Sequence, residues 1–175
     1  MEDGDSVPWR LCDVHHVGLT VSDIERSVRF YRDLLGLRLH RRRTADADYL
    51  GQQTGYHGVR LEVASFALSP DGGPGLELVQ YVTHPGGTTD PATNRAGNTH
   101  LCFRVDDIHR AYDSLQAQGV RFRSAPVAIT SGPNQGGYGV YLSDPDGYTI
   151  ELFQVPARAA PAPARVATPL NRVDP

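Results

Sequence analysis

The sequence predicts an α+β fold of two tandem βαβββ modules that form a curved mixed sheet around a central cavity. Three observations carry this. First, residues 15–39 and 99–122 repeat one pattern: an apolar strand led by a His, an acidic turn, an amphipathic helix and a closing Gly. An internal repeat of this kind decides the architecture before any single element does. Second, each half ends in a strand that sets a Glu between apolar neighbours, Leu76-Glu77-Leu78 and Ile150-Glu151-Leu152. Third, apolar residues alternate at period 2 in the strands and recur at i, i+4, i+7 and i+11 in the first helix.

Taken in order, residues 1–12 read as an N-terminal extension and residues 13–83 as the first module. Its first strand covers Asp13–Val21, with Val17, Leu19 and Val21 on one face and His16, Gly18 and Thr20 on the other. Ser22-Asp23-Ile24-Glu25 fits a capping box with Ser22 as N-cap. Ile24, Val28, Tyr31 and Leu35 form one helical stripe, closed by Gly36. Strands follow at Leu37–Thr44, Val59–Leu68 and Gly75–Val82, the last two joined by the turn-rich Ser69–Gly73.

Residues 84–97 hold Pro, Gly, Thr and Asn and read as the linker between modules. The second module spans residues 98–156: a strand at Asn98–Val105, Asp106 as N-cap and a helix over Asp107–Gln118. Ile108, Tyr112 and Leu115 share one stripe of that helix, and Gly119 stops it. A strand starts at Val120, and a hairpin pairs Gly137–Leu142 with Tyr148–Val155 across Asp144-Pro145-Asp146-Gly147, whose Gly is expected at positive φ. Residues 157–175 are rich in Ala, Pro and Arg without apolar periodicity and are expected to be a disordered tail.

The strand pattern sorts the polar groups by face. Val17, Leu19 and Val21 cover the first helix, so His16 faces away from it; Leu101, Phe103 and Val105 do the same for His100. Glu77 and Glu151 lie opposite their bracketing apolar residues. Two imidazoles and two carboxylates are thus expected to converge on the non-helix side. Carboxylates left unpaired in an apolar cup are costly, and a divalent cation removes that cost. A His/Glu set with open positions suits a catalytic ion rather than a structural one. A lone strand His or Glu is more often an ordinary hydrogen-bonded or solvated residue; it is the recurrence in both copies that favours His16, Glu77, His100 and Glu151 as metal ligands.

These segments resemble the vicinal oxygen chelate superfamily, which groups glyoxalase I, methylmalonyl-CoA epimerase, extradiol dioxygenases, and fosfomycin and bleomycin resistance proteins. The resemblance rests on His16–Asp23, on Phe30-Tyr31 before Leu35-Gly36-Leu37, on Leu76–Leu78, on His100–Asp107 and on Asp144–Leu152. It implies that His16, Glu77, His100 and Glu151 occupy the four metal positions, for nickel, cobalt, zinc, manganese or iron. It further implies a homodimer and a small-molecule substrate held through two oxygens. The expected reaction is proton transfer next to a carbonyl, of the isomerase or lyase type, with Glu151 or Glu77 as base and the metal as Lewis acid. Extradiol dioxygenases leave the Glu77 position without a ligand, so an iron dioxygenase is an alternative. A protein of the same fold that sequesters a metabolite or drug is another.

Other groups carry weaker readings. His15 is expected at the helix face or the strand end. His40 and Arg41-Arg42-Arg43 read as a solvated basic face or as a seat for a carboxylate, phosphate or CoA tail. Cys102 shares the face of His100, with a small buried hydrophobe as the default. His57 and His84 are loop residues. Tyr138 is a packing residue, as are Tyr81 and Phe153, which share strand faces with the two glutamates. Net charge is −3, which argues against nucleic acid. No apolar run reaches the ~18 residues of a membrane span. Cys12 and Cys102 make no disulfide framework, and the first residues lack the features of a secretory signal, so a cytoplasmic location is expected.

Overall fold

In the computed structural model, described for residues 9–68 and 75–157, the elements run β1 (His16–Thr20), α1 (Ile24–Arg29), β2 (Arg38–Ala45), α2 (Asp48–Thr54), β3 (Leu61–Ala67), β4 (Gly75–Tyr81), β5 (His100–Arg104), α3 (Ile108–Ala117), β6 (Val127–Ala128), β7 (Tyr138–Ser143) and β8 (Thr149–Gln154). The α+β class and the tandem modules are as expected. The strands form two separately hydrogen-bonded sheets of four, ordered β1-β4-β3-β2 and β5-β8-β7-β6. Each sheet is mixed: β1 runs parallel to β4 and β5 parallel to β8, and the other pairs are antiparallel. Parallel neighbours need a long crossover, which the helix and intervening strands of each module supply. The N-terminal residues 1–8, the Ser69–Gly73 turn and the tail beyond Ala157 lie outside the described residues. No helix among the described residues is long and apolar enough to cross a membrane.

Both helices start one residue later than the sequence suggests. The N-caps are Asp23 and Asp107, whose carboxylates accept from the backbone N–H of Arg26 and Arg110 at 3.0 Å. In the first module Ser22 is engaged elsewhere, because its backbone N–H donates to Asp146 of the second module at 3.0 Å. A matched pair of glutamines supports the caps. Gln80 accepts from the N–H of Ile24 at 2.9 Å and Gln154 from that of Ile108 at 2.8 Å, so each helix start is tied to its module's last strand. The first helix continues through a π turn at Phe30–Leu34, and Gly36 closes it at φ 73°.

One buried cluster draws on both modules. It joins Leu19, Val21, Ile24, Val28, Tyr31, Leu76 and Leu78 with Ile108, Leu115, Val140, Leu142, Ile150 and Leu152. The helix-facing sides of both sheets therefore serve a single core. Leu76, Leu78, Ile108, Leu142 and Ile150 have no exposed surface, and truncating any such residue to Ala costs about 2–5 kcal/mol.

A buried hydrogen bond fastens the modules across that core. The Tyr31 hydroxyl donates to Asp144 Oδ2 at 3.0 Å. Asp144 Oδ1 accepts from the N–H groups of Asp146 at 2.9 Å and Tyr148 at 2.7 Å. Burial holds the Asp144 carboxyl above the usual carboxylate range, against the pull of these donors. Burial likewise pushes the Tyr31 hydroxyl far up, so it stays a donor. Gly147 completes the turn at φ 91°, as expected. Arg26 reaches over to Asp146 at 2.6 Å.

Two elements depart from expectation. The α2 helix has no signal in the sequence, because Leu50 is its only buried residue and no periodic stripe marks it. It packs on a second cluster of Ala45, Leu50, Val59, Leu61 and Val63. The strand expected from Val120 shrinks to Val127–Ala128 plus a single bridge between Phe122 and Leu142. Pro126 interrupts it, since proline offers no N–H to the ladder.

The Tyr31→Phe variant removes one donor from a buried carboxylate. It is expected to lower stability by about 1–3 kcal/mol, read as a drop in the urea midpoint without a change in slope.

Candidate metal-ligand pairs

Strand register builds two equivalent half-sites. In the first module Gly18 pairs with Glu77, so His16, two residues earlier on the same face of β1, is the diagonal neighbour of that glutamate. In the second module Cys102 pairs with Glu151, and His100 stands in the same diagonal relation. The head groups meet as this predicts. His16 Nε2 lies 3.9 Å from Glu77 Oε2, and His100 Nε2 lies 3.0 Å from Glu151 Oε2. Exposure matches as well: the His side chains are 45% and 43% exposed, the Glu side chains 23% and 22%. Both pairs lie on the sheet faces turned away from the shared core, as the alternation required.

Within one chain the two pairs remain apart. Among the described residues no group of three or more His, Cys, Asp or Glu side chains lies close enough to hold a metal ion. The four head groups therefore form no single cluster within one chain, and the sequence leaves open whether a site is built within a chain or shared between two. The physical reason is the common core: it claims the helix side of both sheets and leaves the His/Glu faces on the outer sides. Each pair still offers what half a divalent site needs. An imidazole nitrogen and a carboxylate oxygen stand side by side, and their chemistry fits nickel, cobalt, zinc, manganese or iron.

The surroundings of the pairs differ. In the first, Ser65 Oγ donates to Glu77 Oε1 at 3.0 Å. The Nδ1 atoms of His15 and His16 stand 2.8 Å apart, one ring donating to the other according to tautomer. His15 thus belongs to the site rather than to the helix face, and it orients the His16 ring so that Nε2 is left toward Glu77. A cavity of about 850 Å³ opens here, lined by His15, His16, Glu77, Ser65 and a basic group on β2.

The second pair has aromatic and thiol neighbours. The ring of Tyr141 packs edge-on to His100 with centroids 5.4 Å apart, and Tyr141 is in register with Glu151. Desolvation, then the Glu151 charge, raises the tyrosine hydroxyl. The same two causes, in the same order, push the Cys102 thiol up to about 11, so it stays a thiol at neutral pH. Cys102 is an exposed free cysteine rather than a buried hydrophobe. Sequence reasoning missed Tyr141. The burial of Val140 and Leu142 on its flanks places it on the Glu151 face, and that alternation is visible in the sequence.

The remaining candidates are structural. Tyr81 shares the Glu77 face but packs against the α2 cluster, its ring 5.6 Å from that of Tyr56. Tyr138 packs on the core and against His109. His84 bonds Thr83 Oγ1 at 2.9 Å in the linker.

Known proteins share this arrangement of elements. The family model described as the glyoxalase/bleomycin resistance protein/dioxygenase superfamily matches residues 13–152. The chain is similar to 2-epi-5-epi-valiolone epimerase from Actinomyces sp., at 33% identity over 89% of this chain and 86% of that one. It is also similar to lactoylglutathione lyase from Haemophilus influenzae, at 29% identity over 79% and 90% of the two chains. In fold it matches the crystal structure of a glyoxalase family protein from Bacillus cereus, with a TM-score of 0.75 at 21% identity, covering 87% of this chain and 99% of that one. With the match spanning both modules and both His/Glu pairs, this chain belongs to the glyoxalase/bleomycin resistance protein/dioxygenase superfamily.

Proposed function

We propose that this protein is a divalent-metal-dependent epimerase: it removes a proton from a carbon next to a carbonyl and returns one to the opposite face. The observation that carries the reading is the equivalence of the two His/Glu pairs. A two-base inversion at one carbon uses one acid–base group on each face, and Glu77 and Glu151 have matched imidazole neighbours and matched exposure. The similarity to an enzyme named as an epimerase supports it.

In this reading the site forms between two copies of the chain, with His16 and Glu77 from one and His100 and Glu151 from the other. Three features favour this. The pairs face outward, β1 and β5 are edge strands of their sheets, and Trp9, Leu11 and Val14 stand 62%, 84% and 59% exposed just before β1. An apolar strip beside an open sheet edge suits a protein interface.

The chemistry supplied by a divalent ion at this position is Lewis acidity toward two vicinal substrate oxygens. The protein's own groups do the rest. Glu151 takes the proton from carbon, held on the rigid hairpin that follows Gly147. Glu77, in its protonated form, delivers a proton from the other side and becomes the carboxylate that Ser65 hydrogen-bonds, and proton exchange of both carboxyl groups with water restores the starting state. The rings of His100 and Tyr141 limit water around Glu151 and favour transfer to and from carbon.

A second reading, isomerisation of a glutathione hemithioacetal, is favoured by the similarity to lactoylglutathione lyases. It uses the same proton removal but returns the proton to the neighbouring carbon.

Purified protein incubated in D2O with 2-epi-5-epi-valiolone is expected to wash out one carbon-bound proton and yield the epimer by NMR. Thioester formation from methylglyoxal and glutathione, with no epimer, would instead establish the second reading. Oxygen uptake with catechols would contradict both.

Glu151→Gln should lower turnover by ~100-fold or more, the scale of a lost general base, with metal retained. Under epimerisation, each Glu→Gln variant loses deuterium exchange from one epimer and keeps it with the other. Near-wild-type inversion in both variants would remove carboxylate proton transfer from the account.

His16→Ala and His100→Ala should each weaken metal binding by more than the ~10–100-fold that loss of a mere orienting partner costs. Metal analysis after dialysis reads this, and full occupancy in either variant would contradict the ligand assignment.

A further inference from the structure

The β2 strand carries a feature that the proton-transfer reading does not use. Its pairing with β3 slips between Leu39, opposite Phe66, and Arg41, opposite Ser65, so one residue is extra. A bulge of this kind re-aims the side chains that follow it. Leu39 still packs on the core. After the bulge, Arg41 and Arg43 face the cavity beside Ser65 and Val63. Arg42, between them, points to the other side and pairs with Glu25 of α1. The Arg41-Arg42-Arg43 run is therefore split: one guanidinium ties strand to helix, and two look into the site. Arg38 and His40 line the same cavity.

The charge balance there is one-sided. Among the described residues, Glu77 is the only acidic side chain lining this cavity, against three guanidinium groups. Among the described residues, Arg38, Arg41 and Arg43 make no ion pair, whereas Arg42 does. Cations gathered in a concave site without partners repel one another, and an oxyanion bound by the guanidinium forks offsets that repulsion. Ser65 is in register with both Glu77 and Arg41, so Arg41 sits two strands from Glu77, or ~10 Å at the usual strand spacing.

We infer that the bulged β2 strand is an oxyanion seat that favours substrates bearing a carboxylate or phosphate monoester over neutral ones such as 2-epi-5-epi-valiolone, which would leave the seat empty. This rests on the site assignment above and names the substrate class for it. Arg41 and Arg43 are then part of the site, and Arg42 belongs to the contact with α1.

The test is calorimetric titration of metal-loaded protein with inorganic phosphate and, separately, with succinate. Saturable binding is expected, and it should weaken at least ~10-fold in the Arg41→Gln/Arg43→Gln double variant, as for lost charge-assisted hydrogen bonds. Arg42→Gln should keep wild-type affinity. Tighter phosphate than succinate assigns a phosphate monoester; the reverse assigns a carboxylate. Failure of both anions to bind, or unchanged affinity in the metal-loaded double variant, would overturn the seat. Deuterium exchange into hydroxyacetone, a neutral ketone, separates the two proposals. Its absence from wild type would count against the proton-transfer reading alone and leave the anion titrations to decide the seat.

Discussion

Parallel pairing of β1 with β4, and of β5 with β8, is the constraint on which the rest depends. In each pair the register places a His diagonally across from a Glu on one sheet face, and places the bracketing leucines and isoleucine on the other. A one-residue slip would turn a whole strand over, moving its buried apolar residues to solvent and its polar ligand into the core. The fully buried Leu76, Leu78 and Ile150 oppose any such slip. Core burial and ligand geometry are thus secured by the same contacts. The Gln80 and Gln154 caps extend this to the helices, because each helix start is bonded to the strand that carries its module's Glu.

The duplication supplies symmetry in the His/Glu pairs and asymmetry around them. Gly18 lies beside Glu77 where Cys102 lies beside Glu151. Ser65 faces Glu77 where Tyr141 faces Glu151. One half is open, hydrogen-bonded and basic, and the other is aromatic. In the proposed site, matched His/Glu pairs with unmatched walls would treat two faces of a carbon alike while fixing which way round the substrate lies. The Tyr31 to Asp144 bond, by contrast, crosses between modules within the chain and holds the turn that leads into β8.

Much of this is legible in the sequence. Period-2 alternation assigns the faces of His16, Glu77, His100 and Glu151, because strand geometry leaves only two choices. Stripe spacing marks both main helices, and Gly36 and Gly147 mark positive φ. Other features depend on partners distant in sequence. The caps move to Asp23 and Asp107, and in the first module Ser22 bonds Asp146, more than a hundred residues away. The β2 bulge decides which face Arg41 and Arg43 share: unbroken alternation from Leu39 would place them on its core side, and the extra residue turns them to the Glu77 side. Alternation assigns a residue to a face of its own sheet and says nothing of how two sheets are placed, so the separation of the His/Glu pairs emerges only with the shared core.

The central claim, a site assembled from two copies, is tested most directly by complementation. One variant carries His16→Ala and Glu77→Gln, the other His100→Ala and Glu151→Gln, and each alone should be inactive and metal-free. Unfolded together and refolded as a mixture, half of the dimers are mixed and each of these regains one intact site, so about a quarter of wild-type metal and activity should return. No recovery in a mixture shown to contain mixed dimers would contradict the account.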